Sequence, residues 1–148
     1  MPRRIRALCR ENGEPIPDDR AAVTRCALEC LALTYADCAA KVGELTGKRI
    51  GRLHVVGGGS QNRLLNQFTA NALRVEVVAG PAEATALGNA LVQAIATGAL
   101  GSLEELRGVV RRSTGLETFT PQEDTAGAWR EAADRFTLLK ERGRERDR

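Results

Sequence analysis

The chain has 148 residues, enough for one domain with a real core. Hydrophobic residues at 43% and charged ones at 28% are ordinary for a globular protein, and no apolar run reaches membrane length. The net charge of +3 comes from scattered arginines, and aromatics are only 3%, so the basic, aromatic-studded surface of a nucleic-acid binder is not expected.

The first element expected is a short helix, Arg3 to Arg10, ending before Gly13 and Pro15. Asp18 is the expected N-cap of a long helix. Its apolar stripe runs through Val23, Cys26, Ala27, Cys30, Leu33, Ala36, Val42 and Leu45, and Gly47 stops it. A strand follows at about 52–56, near-continuously apolar and so expected to be buried on both faces. Gly57-Gly58-Gly59 then leads into a helix over 61–73, with Leu64, Leu65, Phe68 and Leu73 as its apolar residues.

A second strand, Val75 to Val78, ends at Gly80-Pro81. Helices are expected over 83–97 and 103–112. The first carries Leu87, Leu91 and Ile95; the second starts behind Ser102 with Glu105 three residues on, a capping box. Thr118-Phe119-Thr120 reads as extended, and a last helix over 122–140 holds Trp129 and Phe136. The charged stretch 141–148 is expected to be a solvated tail beyond a domain at 1–140. Strands joined by a helix imply a small parallel sheet with a right-handed crossover. Two or three such strands make a thin sheet, with little in the chain to cover both sides. That mismatch points to a further chain or a larger fold.

Cys9, Cys26, Cys30 and Cys38 form no Cys-x-x-Cys pair, and the single histidine, His54, is remote from them. Buried, reduced thiols are expected rather than a zinc site, in a cytoplasmic setting with no signal peptide. His54 is expected to pack rather than to catalyse.

Three familiar loops fail on spacing. A dinucleotide-binding fingerprint needs glycine where Asn62 stands and an acid where Val78-Ala79-Gly80 ends the second strand. The run Gly43 to Arg49 is one residue short for a P-loop and precedes a strand. The stretch after Gly58 lacks the last glycine of a nucleophile elbow. What remains is a strand, three glycines, Ser60, Asn62 and a helix. Glycines expose flat peptide faces on which a purine can lie, and Ser60 and Asn62 offer a cap and hydrogen bonds. A tight turn with no ligand is the alternative.

The stretch Val55 to Gln67 resembles the adenosine motif of the FGGY carbohydrate kinases. Val78 to Asn89, Pro2 to Arg10 and Gly47 to Ile50 resemble the same family, nearest its rhamnulokinase branch, and the likeness covers about residues 1–121. It implies an α/β fold: a helix-rich, incomplete C-terminal subdomain of ribonuclease H-like, actin/hexokinase type. It implies ATP as cofactor, held near Gly57, Gly58, Gly59, Ser60 and Asn62, with Gly58 and Gly59 along adenine and ribose. Glu83 to Gly88 would be a packing helix behind the site, with Gly88 allowing close helix–sheet approach.

In such kinases ATP, with Mg²⁺, phosphorylates a sugar hydroxyl; in the rhamnulokinase branch it is O1 of L-rhamnulose. The N-terminal domain with the aspartate base, and the phosphate loops, have no counterpart in these residues. The expectation is therefore a C-terminal piece, inactive alone, with no catalytic or metal-ligating residue. If the gene is split, its partner would be the missing N-terminal domain; neither nucleic acid nor membrane is expected as one. A non-enzymatic nucleotide-binding or interaction module, or a decayed gene product, is the alternative.

Overall fold

A computed structural model describes residues 1–146. Helix α1 spans Pro2–Asn12, and α2 spans Arg20–Thr46. Strand β1 (Arg52–Val55) leads through a 3₁₀ turn (Gly58–Gln61) to α3 (Arg63–Leu73) and β2 (Glu76–Ala79). Then come α4 (Ala84–Ala96), α5 (Leu103–Ser113), β3 (Glu117–Phe119) and α6 (Ala126–Arg146). The last helix therefore runs past residue 140. Residues 147 and 148 of the expected tail lie outside the described residues.

The sheet has the order β1-β2-β3. β1 and β2 are parallel, as expected, but β3 is antiparallel to β2, so the sheet is mixed. The α4 and α5 pair and the loop after it return the chain along the free side of β2 in the opposite sense.

The register puts Leu53, Val55, Val77, Ala79 and Phe119 on one face. With Ala70 of α3 these residues form the core, and Val77 is 0% exposed. Only β2 is buried on both sides. β1 alternates instead: Leu53 and Val55 are half-buried, Arg52 and His54 exposed. The expectation of a doubly buried β1, and of a packed His54, is thus overturned. His54 shares the open face with Thr118, where the pleat places every second residue.

Helix α2 packs mainly on α3. Its cap is Asp19, not Asp18: Asp19 Oδ1 accepts from Ala22 N at 2.7 Å. Val23, Ala32 and Leu33 are buried, whereas Val42 and Leu45, expected in the stripe, are exposed, Leu45 by 87%. The 11 residues of α3 span about 16 Å and the 27 of α2 about 40 Å, so α3 covers only part of α2. The thiols are not buried either: Cys9 and Cys26 are half-buried, Cys30 and Cys38 exposed, and all four are free.

Two polar devices close the unit. Asn71 Oδ1 accepts from Gln122 N (2.9 Å), and its Nδ2 donates to Gln122 Oε1 (2.9 Å). Gln67 Nε2 donates to Thr120 O (2.8 Å), so α3 carries amide contacts to the segment that leads into α6. At the far end of α6, Lys140 Nζ and Lys41 Nζ both donate to Asp37 Oδ2. Lys140 first, then Lys41, hold the Asp37 carboxyl down at about 2 from 3.8. A folded pKa below the unfolded one stabilises above about pH 4, and that contribution fades as pH falls towards 2. The melting-temperature difference between the native chain and Asp37→Asn should be measurable at pH 5 and shrink to a small fraction of that by pH 2. An equal difference at both would rule the linkage out.

Candidate nucleotide-facing turn

Parallel strands β1 and β2 end side by side, and the loops after them meet. Gly80 N donates to Val55 O (2.8 Å), and Gly57 N donates to Pro81 O (3.0 Å). The crevice outside the carboxyl ends of parallel strands is where α/β sheets place ligands. Gly57 has φ 76 and ψ −167, a region open in practice only to glycine. That conformation swings the chain out of β1 into the 3₁₀ turn.

The five residues singled out by sequence lie together, in three roles. Gly58 and Gly59 are exposed, and a Cβ on either would meet nothing within 4 Å. They offer a bare strip of peptide to the solvent side. Ser60 does not cap the helix. It is buried, and its Oγ donates to Gly57 O at 2.7 Å. Asn62 is the cap, its Oδ1 accepting from Leu65 N at 3.1 Å. The reversal follows from the 3₁₀ turn, which consumes residues 58–61 and delays the helix to Arg63.

The residue that fixes the turn was not singled out by sequence. Asn66 is 1% exposed, and its Nδ2 donates to Ser60 O at 2.8 Å. It lies four residues beyond Asn62 and so on the same helical face, the one signal that could have found it. Thr69 and Asn71 join it on the buried side of α3, while Leu64, one of the helix's apolar residues, is exposed. Arg63 at the start of α3 pairs with Glu117 of β3 at 2.5 Å, the arginine well exposed and the glutamate half-buried. The start of α3 brings its free backbone N–H groups and positive dipole end to the turn.

The expected packing helix is different in the structure. Gly88 has open space where a Cβ would sit, and α4 contacts α5 rather than pressing on the sheet. No residue of α4 is fully buried. Close approach to the sheet is made instead by Gly80. A Cβ there would lie 3.1 Å from Gly115 O and 3.3 Å from Leu116 Cδ2.

Chemically, the turn can present flat peptide surface and N–H dipoles to a planar or anionic group. Among the described residues, no three His, Cys, Asp or Glu side chains are grouped to hold a metal ion. No described helix is long and apolar enough to cross a membrane.

Residues 1–97 match the FGGY family of carbohydrate kinases, C-terminal domain. A similar curated protein is a rhamnulokinase of Bacteroides thetaiotaomicron, 45% identical over 126 residues, 85% of this chain and 26% of that protein. A similar solved structure is the xylulose kinase of Rhodospirillum rubrum, with a TM-score of 0.65 and 28% identity, over 86% of this chain and 25% of that one. The chain thus spans about a quarter of the length of each.

Proposed function

This chain belongs to the FGGY family of carbohydrate kinases, and we propose from that membership that its glycine turn is the adenosine-facing wall of an ATP-dependent sugar kinase. Its fold is of the actin/hexokinase type, helix-rich with a small sheet. The observation that carries the reading is the turn itself. Gly58 and Gly59 lie bare at the ends of two parallel strands, and Gly57, Ser60, Asn62 and Asn66 hold them there. L-rhamnulose is the proposed sugar, on the 45% identity to a rhamnulokinase.

ATP brings the transferable phosphoryl group, and Mg²⁺ would accompany it in the complete enzyme. This chain's part is to seat the nucleoside end, with Gly58 and Gly59 under the base and ribose and Asn62 beside them. Positioning and charge stabilisation at the phosphates make up most of phosphoryl-transfer catalysis. We assign no catalytic base and no metal ligand to this chain. An N-terminal kinase domain is the proposed partner, in the cytoplasm.

The test is calorimetric titration with ATP and with adenosine. Both should bind with similar affinity, because the contacts proposed are to the nucleoside. Asn66→Leu should weaken both about tenfold or more, since it leaves Ser60 O without its buried donor, a loss of roughly 1–3 kcal/mol. ATP-dependent phosphorylation of L-rhamnulose should be absent for the chain alone and appear when the N-terminal domain is added. Binding of ATP but not adenosine would overturn the assignment of the turn. Turnover by the chain alone would overturn the need for a partner.

A further inference from the structure

Helices α1, α2 and α6 enclose a groove of about 780 Å³. Each turns an apolar stripe into it. α1 supplies Ile5 and Leu8, and α2 supplies Cys26, Cys30 and Leu33. α6 supplies Ala132, Phe136 and Leu139. Neighbours within each set are three or four residues apart, so each set lies on one face of its helix. Three apolar faces thus converge on a space that no described side chain fills. In a closed core such stripes would cover one another. Of these eight residues only Leu33 is buried, and Leu8 is 55% exposed.

The groove is built for an apolar occupant. Arg25 and Arg135 are the cations of its lining, and each already faces a carboxylate. Arg25 pairs with Glu29 at 2.8 Å, and Arg135 stands 3.9 Å from Glu14. A charged ligand would have to displace one of these partners, whereas an apolar one gains by leaving water.

We infer that the groove seats an apolar segment of the N-terminal part of the kinase, the stretch that leads into residue 1. The inference rests on the reading that an N-terminal kinase domain completes this chain. Residues 1–97 match the C-terminal domain of the family, and the chain spans 26% of the rhamnulokinase. The larger part of such a kinase therefore lies upstream, and it meets this unit first at Met1. Met1 is itself part of the groove wall and is 85% exposed.

The helix that follows is lightly held. α1 has no fully buried residue, and Arg6 ties it down through Nε to Pro17 O (2.7 Å) and Nη2 to Asp18 O (2.8 Å). A segment laid along the groove would cover the apolar face that α1 leaves open. A second copy of this chain is a poorer occupant. A two-fold contact sets the same surface against itself, and one hollow does not fill another.

The thiols supply the probe. Cys9, Cys26 and Cys30 line the groove, and Cys38 does not. The experiment joins to Met1 about 20 residues that precede the matching region in the Bacteroides thetaiotaomicron rhamnulokinase. Extended, they reach at most about 70 Å, ample to cross a groove flanked by the roughly 16 Å of α1. Both chains, full length and with no nucleotide present, are pulsed with N-ethylmaleimide, and each thiol is read by peptide mass spectrometry. The extension should slow labelling of the three groove thiols on the order of tenfold and leave Cys38 unchanged. Leu8→Asp or Leu31→Asp, each at an exposed groove position, should restore the faster labelling in the extended chain. Leu45→Asp, away from the groove, should leave the protection intact. Circular dichroism confirms the fold of each variant.

Unchanged groove thiols in the extended chain would overturn the proposal, as would protection that survives both groove variants. Protection of the unextended chain that grows with its concentration would overturn it in favour of a second copy. Adenosine titration of the same proteins reads the glycine turn separately. Adenosine binding with unprotected thiols defeats the groove assignment alone; protected thiols without adenosine binding defeat the nucleotide reading alone.

Discussion

Gly80→Ala should lower stability by about 3 kcal/mol, the sum of a strained backbone at roughly 1–3 and crowding at roughly 1–3. Gly80 sits at φ 112, outside the region other residues adopt. An added Cβ would press within 3.1 Å of the Gly115 carbonyl, which is backbone and cannot swing aside as a side chain can. For a chain this size the melting temperature should fall by about 10 °C. The loop also carries Pro81 O, which accepts from Gly57 N, so nucleotide affinity should fall with stability. Gly88→Ala is the control. Its Cβ enters open space in a helix interior, and the change should stabilise by roughly 0.5–1 kcal/mol. Urea unfolding of both variants decides the matter; equal and small effects would show that Gly80 is not the point of close approach.

Phe68→Ala should cost about 3–5 kcal/mol, the usual range for emptying a buried aromatic site. Phe68 is the side chain on which three helices meet. Its ring lies 5.4 Å from that of Trp129 of α6, tilted by 56°, and the Arg25 guanidinium of α2 stands 5.6 Å above it. Set against a typical total of about 5–15 kcal/mol, the loss leaves a chain close to its unfolding threshold at room temperature. Phe68→Leu keeps apolar volume but forfeits the ring contacts, and should cost only about 1–2 kcal/mol. The same truncation loosens α3, whose first turn carries Asn62 and whose buried face carries Asn66, so the glycine turn should lose order along with it. Thermal unfolding followed by tryptophan fluorescence reports both effects, because Trp129 is the only tryptophan. A penalty below about 1 kcal/mol for the alanine variant would mean that α6 is held by its ion pairs and amide bonds rather than by this ring.

Much of the fold was legible along the chain because it is encoded locally. Helical spacing, Gly47 at the end of α2 and Ser102 at the head of α5 each act within a turn or two of their own position. The capping box is only half formed, since Glu105 bonds Gly101 N rather than Ser102 N, a shift of one residue that spacing cannot resolve. The glycine triplet and Asn62 were legible for the same reason, and all five residues singled out do lie in one turn. Their division of labour was not: Ser60 and Asn62 exchange the roles expected of them once the chain winds into a 3₁₀ turn.

The sequence by itself determined the strand–glycine–helix order, the parallel β1–β2 pair and the family, because each rests on short-range pattern. Only the tertiary structure decided which faces are wet. β1 is an alternating strand with His54 outside, β3 joins antiparallel, and α3 buries Asn66, Thr69 and Asn71 while exposing Leu64. Composition favours leucine inside. The fold needs buried amides instead, because Ser60 O and the backbone at Gln122 require partners that only Asn66 and Asn71 are placed to supply. Likewise Gly80 and Gly88 read alike in the sequence, and only the fold tells them apart: a φ of 112 and the Gly115 carbonyl across the loop demand glycine at the first, while the second faces open space.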